Sequence, residues 1–182
     1  MTSAITKKPA TPLIRLAFLT ATACSLHVFE SLLMRMLPVP FIRLGLSNIV
    51  VMYLILESHP MQAIFVNLTK SVIGGVLTFN LLTPGTLLSV CGGLAAIISM
   101  WFAYNSKVGF STYGVSICGA LAHNFVQLVV VQRFVLPDAN VFVLTPILLL
   151  LALFSGILTA WILLSVQASY DHLKTGKDED KE

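Results

Sequence analysis

From Val141 to Gln167 the chain reads VFVLTPILLLLALFSGILTAWILLSVQ, with no charged side chain anywhere in the run. Five apolar runs precede it, at Pro12 to Leu37, Pro40 to Leu56, Met61 to Leu82, Thr86 to Tyr104 and Tyr113 to Val135. A helix needs about 20 predominantly apolar residues to cross a hydrocarbon core. With 57% hydrophobic residues against 10% charged and a mean hydropathy of +0.90, a chain of 182 residues carries more apolar surface than a soluble domain of that size can bury. The expected fold class is therefore an all-α integral membrane protein, a bundle of six transmembrane helices.

The punctuation between the runs is short: PVP at Pro38 to Pro40, ESHP at Glu57 to Pro60, TPG at Thr83 to Gly85, NSKVGFS at Asn105 to Ser111, and LPDAN at Leu136 to Asn140. Short links make consecutive helices antiparallel neighbours and leave no room for a soluble domain. Residues 1–11 read as a cytoplasmic N-terminal segment, 12–168 as a six-helix membrane domain, and 169–182, with KTGKDEDKE, as a solvated, disordered cytoplasmic tail. The second run is the weak one, because Pro40 to Leu56 reaches only about 25 Å at 1.5 Å per residue and has Arg43 near its start. TATAC, at Thr20 to Cys24, resembles a processing site, but the apolar run continues past it, so it is read as part of an uncleaved first helix.

Orientation follows from basic residues near helix ends. With the N-terminus cytoplasmic, the inner side holds Lys7, Lys8, Arg15, Lys107, Lys174, Lys177 and Lys181, and the outer side holds Arg35, Arg43 and Arg133. The bias places both termini in the cytoplasm of a multi-pass protein of the cytoplasmic (inner) membrane. No basic stripe suits nucleic acid. Cys24, Cys91 and Cys118 lie inside apolar runs without a C-x-x-C pair, so they read as packing residues, and neither metal nor cofactor is expected.

Polar groups within membrane spans are costly, and each needs a partner or a function. Glu30, Asn48, Lys70 and Asn80 interrupt the first three spans, and His123, Asn124 and Gln127 fall within five residues of the fifth. Spacings of three and four place that trio on one broad helix face. Most of these groups fall between the midplane and the outer face, which suggests an outward-open polar cavity. Its candidate ligand-binding residues are His123, Asn124, Gln127, Lys70, Arg43, Asn48 and Glu30, with Lys70, Arg43 and His123 suiting an anion and the surrounding Phe, Leu and Ile suiting a flat or isoprenoid body. Two bland readings stand beside this one: polar side chains often bridge helices without a ligand, and Lys70 with Glu30 is a ready ion pair. NLT at Asn67 to Thr69 lies within a span and carries no meaning as a glycosylation site.

Small residues give a second signal. Ala17, Ala21 and Ser25 recur every fourth residue on the first helix, forming a strip that another helix can approach closely. Gly74-Gly75, Gly92-Gly93, Gly114 and Gly119 suggest tight crossings inside the bundle.

The segments RLGLSNIV (Arg43 to Val50), SVCGGLAAIISMW (Ser89 to Trp101) and GVSICGALAHNFVQL (Gly114 to Leu128) together resemble the Gx transporter family, whose members have been labelled heptaprenyl diphosphate synthase component I. The resemblance runs from about Leu13 to Val166. That family is in turn similar to the S components of energy-coupling-factor transporters. What this implies is an S-component-like bundle that binds a small, anionic or isoprenoid or flavin-like ligand for uptake. The Ala17, Ala21 and Ser25 strip would then dock on a transmembrane coupling protein driven by ATPase subunits. The synthase label sits poorly with the residues, since the chain has neither a D-D-x-x-D motif nor a Walker A loop, so no enzyme activity is expected. The alternatives are a noncatalytic membrane subunit associated with polyprenyl diphosphate or quinone synthesis, and a structural subunit of a membrane redox assembly.

Overall fold

The computed structural model describes residues 12–34, 45–79, 81–138 and 140–179. Among these there is no strand. Six α-helices follow one another: α1 (Pro12–Met34), α2 (Asn48–Leu56), α3 (Pro60–Leu77), α4 (Pro84–Asn105), α5 (Thr112–Val130) and α6 (Thr145–Glu179). A five-residue π-helix, Val131–Val135, ends α5, and a 3-10 turn, Val141–Leu144, leads into α6. Pro60 and Pro84 start α3 and α4 in the first turn, where a missing N–H costs nothing. Ser111 caps α5 by accepting from the Gly114 N–H at 3.2 Å.

The helices are arranged inside-out relative to a soluble protein. On α3, Asn67, Lys70 and Ser71 are buried, while Phe65, Leu68, Val72 and Val76 on the other face are exposed. On α5, Ser116, His123, Asn124 and Gln127 point inward, while Phe125 and Val129 point outward. In water this arrangement would forfeit about 1.5–3 kcal/mol for each large apolar side chain left exposed. In hydrocarbon it is the stable arrangement, because polar groups gain only by meeting one another. The chain is a membrane protein.

Four helical stretches are long and apolar enough to cross a bilayer: Pro12–Leu33, Pro84–Asn105, Thr112–Val135 and Val141–Tyr170. The expected six crossings are not all of this kind. Asn67, Lys70 and Ser71 break the apolar run of α3, and α2 has nine residues, about 13 Å of helix. Within the second run, Gly45 to Ser47 leads into α2 without helix, with Gly45 at φ +72°, and residues 35–44 lie outside the described part, as do Arg35, Arg43 and Asn80. The last helix departs from expectation in the other direction. α6 does not stop near Gln167 but continues to Glu179, through the segment expected to be disordered. No proline interrupts the segment, and Lys and Glu are good helix formers. At 1.5 Å per residue α6 is about 52 Å long against a core of about 30 Å, so it projects well past the hydrocarbon.

Neighbouring helices run in the order α1, α3, α4, α5, α6, with α2 packed inside against α1, α3, α4 and α6. α2 is apolar all round, and Val50, Val51, Met52, Leu54 and Ile55 are all buried, which suits a central position. Close crossings depend on glycine. A Cβ on Gly74 of α3 would lie 2.2 Å from the His27 ring of α1, and one on Gly93 of α4 would lie 1.9 Å from Asn67 Oδ1 of α3. Gly92, next to Gly93, accommodates the His123 ring of α5 in the same way. The C-terminal end of α2 is tied to its neighbours: Arg15 of α1 donates to the Tyr53 hydroxyl at 2.8 Å and pairs with Glu57, and Tyr104 of α4 donates to the Leu56 carbonyl at 3.0 Å.

Candidate functional site

Because α2 is short, it fills only part of the bundle's interior with hydrocarbon. At its N-terminal end buried polar side chains gather. The lead-in turn Gly45 to Asn48 is held from two sides by opposite charges. From α1, the Glu30 carboxylate accepts from the Gly45 N–H. From α3, the Lys70 ammonium donates to Ser47 Oγ at 3.0 Å and to Asn48 Oδ1 at 2.7 Å. Lys70 is 2% exposed and Glu30 3%. The positive end of the α2 dipole faces this region, so the site combines a helix N-terminus and an ammonium, and the Glu30 carboxylate supplies negative charge beside them.

A small cavity joins this cluster to α5 and α6. It measures about 20 Å³ and is lined by Gly45 and Asn48, by Ser116, His123 and Asn124 of α5, and by Ser155 and Thr159 of α6, among others. Asn124 Nδ2 also donates to the Leu148 carbonyl at 3.1 Å, bracing α5 against α6. That volume admits about one water molecule, whereas ligand pockets run to about 300–1,000 Å³. Among the described residues, the side chains of Asn48, His123 and their neighbours surround only this small space; Arg43, expected at the same site, lies outside the described residues. A larger depression of about 470 Å³ lies elsewhere, between the start of α4 and Phe134; it is mainly apolar and shares no residue with the polar cluster.

Of the candidate ligand-binding residues, the structure brings Lys70 and Asn48 into direct contact and places His123 and Asn124 with Asn48 on one cavity wall. Glu30 joins them through Gly45. Gln127 is buried one turn beyond His123, outside the cavity lining, and its Nε2 has no hydrogen-bond partner among the described residues. Arg43 lies outside the described residues. Ala17, Ala21 and Ser25 are all exposed along α1, so the small-residue strip faces away from the bundle.

Sequence reasoning missed several members. Ser47 contacts Lys70, and Ser116, Ser155 and Thr159 line the cavity; His27, one turn before Glu30 on α1, is buried with its ring against Gly74. His27 carried a legible signal, since a histidine three residues before an intramembrane glutamate shares its face. The hydroxyls did not, because serine and threonine satisfy themselves on helix carbonyls anywhere in a span, as Thr20 does with Leu16.

The polar cluster brings together an ammonium, a carboxylate, amides and hydroxyls, all hydrogen-bonding groups. Among the described residues no group of three histidine, cysteine or acidic side chains is placed to hold a metal ion. Comparison with curated proteins finds no match, and comparison with solved structures finds none either. The family model for heptaprenyl diphosphate synthase component I matches residues 19–166, a stretch that contains the whole polar cluster and most of the bundle. With more than half of its length matched in this way, the chain belongs to the heptaprenyl diphosphate synthase component I family.

Proposed function

We propose that this protein is a noncatalytic membrane subunit that holds a small ligand by an anionic group, in the buried polar cluster at the N-terminal end of α2. The observation that supports this reading most is Lys70, an ammonium 2% exposed on a helix whose opposite face meets lipid. Helix association alone does not call for a charge, since neutral polar pairs supply about 0.6–2 kcal/mol, and a buried ion costs several kcal/mol before any partner is counted. A charge kept at such a cost, facing a helix N-terminus, suits anion binding.

Uptake is the role we favour: an S-component-like subunit of the cytoplasmic membrane with both termini inside, presenting Ala17, Ala21 and Ser25 to a transmembrane coupling protein whose ATPase subunits supply the energy. The exposure of all three small residues supports that surface. A second reading is favoured by the family description, which names a component of a synthase. On that reading the chain is an accessory subunit, the anionic group is a diphosphate, and an isoprenoid chain lies among the apolar helices while the partner component performs the chemistry.

The test is mass spectrometric identification of what the protein releases on denaturation after gentle extraction. A stoichiometric small molecule bearing a carboxylate, phosphate or diphosphate is expected. A water-soluble compound supports uptake and an isoprenoid diphosphate supports the accessory role. Release of bilayer phospholipids alone, in amounts that Lys70→Gln leaves unchanged, would overturn both.

A further inference from the structure

Asn48 stands between Lys70 and the cavity, and its amide is oriented. An ammonium has only donors to offer, so the 2.7 Å contact with Lys70 Nζ fixes Oδ1 on the lysine side. Nδ2 therefore points away from Lys70. It lies on the side of Gly45 and Ser155, where a Cβ built on Gly45 would be 3.2 Å from Asn48 Nδ2 and 3.6 Å from Ser155 Oγ. Gly45, Asn48 and Ser155 all line the cavity. The side of Asn48 turned toward Gly45 is thus an amide NH2, with the ammonium on the opposite side.

From this arrangement we propose that Asn48 determines the specificity of the site by relaying the charge of Lys70: the anion binds Asn48 Nδ2, and Lys70 acts through the amide without touching the ligand. The inference rests on the reading of this cluster as an anion-holding site. A cation bonded to an amide oxygen draws electron density from the nitrogen and strengthens its N–H donors, and the low local dielectric enlarges the effect. The relay also meets a steric condition. An anion at Nδ2 leaves the 2.7 Å and 3.0 Å bonds of Lys70 to Asn48 and Ser47 in place. A donor wall of neutral NH2 and hydroxyl groups selects anions that accept several hydrogen bonds, such as phosphoryl and carboxylate oxygens, over halides.

Equilibrium dialysis of radiolabelled inorganic phosphate against the full chain in lipid nanodiscs tests the relay. Wild type is compared with Asn48→Ala, Asn48→Ser, Lys70→Gln and the Lys70→Gln/Asn48→Ala double variant, with melting curves showing that each is folded. The relay predicts that Asn48→Ala loses at least about tenfold in phosphate affinity although Lys70 remains. It also predicts that the double variant binds no more weakly than the worse single variant, since both residues act on one contact. Asn48→Ser is too short to bridge and should lose affinity equally, which provides the comparison if the alanine variant fails to fold. Phosphate affinity equal to or above wild type in either Asn48 variant, with loss confined to Lys70→Gln, would show direct contact with Lys70 and overturn the relay while leaving the anion site standing. If the wild type takes up neither phosphate nor labelled acetate, the anion site itself is wrong, and the relay falls with it.

Discussion

Gln127 separates the two roles open to a polar side chain inside a membrane bundle. It is buried, and its Nε2 lacks a partner among the described residues. A group in that condition does not tie helices together; left unmade, its hydrogen bond costs about 1–3 kcal/mol. Gln127→Leu should therefore leave the unfolding free energy unchanged or raise it by about 1 kcal/mol, as read by denaturant titration in mild detergent. A loss of more than about 2 kcal/mol would mark the residue as interhelical glue, with its partner made in a state of the bundle other than this one. Asn124 gives the contrast, since its Nδ2 bonds the Leu148 carbonyl, and Asn124→Leu should cost about 1 kcal/mol. At this scale the sequence showed which residues are polar and on which face, but not their partners. That His123 and Asn124 would share a wall with Asn48 depends on how α2, α5 and α6 meet, which no local spacing encodes.

Glycine sets the distances between elements. The Gly74 crossing brings α1 onto α3, so that α1 packs on the third helix as well as on its neighbour in sequence, and Gly92-Gly93 serves two crossings at once. Gly74→Ala and Gly93→Ala should each destabilise the protein by about 1–3 kcal/mol, because the added methyl meets the His27 ring or the Asn67 amide and a helix must shift to admit it. Melting points equal to wild type would show that these crossings are loose. The exposed strip on α1 should behave in the opposite way. Ala17→Trp with Ala21→Trp should leave folding intact and, on the proposed uptake role, abolish copurification with the proposed coupling subunits; unchanged capture would make the strip an ordinary lipid-facing surface. The glycine pairs were legible as tight packing, since few other residues let helix backbones approach. The shortness of α2 was legible only as a weak second run, because apolar composition does not reveal where a helix begins, and the positive φ of Gly45, +72°, sits just before the start at Asn48.

The whole molecule is a bundle with large apolar side chains on its outside and, inside, an apolar core around α2 beside a buried polar cluster at the N-terminal end of that helix. Membrane embedding was legible from hydropathy alone, since no other solvent accepts so much exposed hydrocarbon. The length of α6 was not, because a charged tail satisfies the composition of disorder as well as that of a helix projecting into water. Six crossings with both termini in the cytoplasm would make reporter fusions after Asn105 and after Lys177 read inside and one after Gly85 read outside; an external C-terminus would reverse the orientation and the side from which a ligand enters. The central claim is that the buried polar cluster exists to hold an anionic ligand and not merely to join helices. It is tested most directly by the fraction of wild-type and Lys70→Gln protein that retains a bound anionic small molecule, measured by native mass spectrometry on preparations matched for melting point. The expected result is an occupied wild type and at least about a tenfold fall in occupancy for the variant. A wild type that never carries such a molecule, or a Lys70→Gln protein that carries it equally well, would contradict the claim.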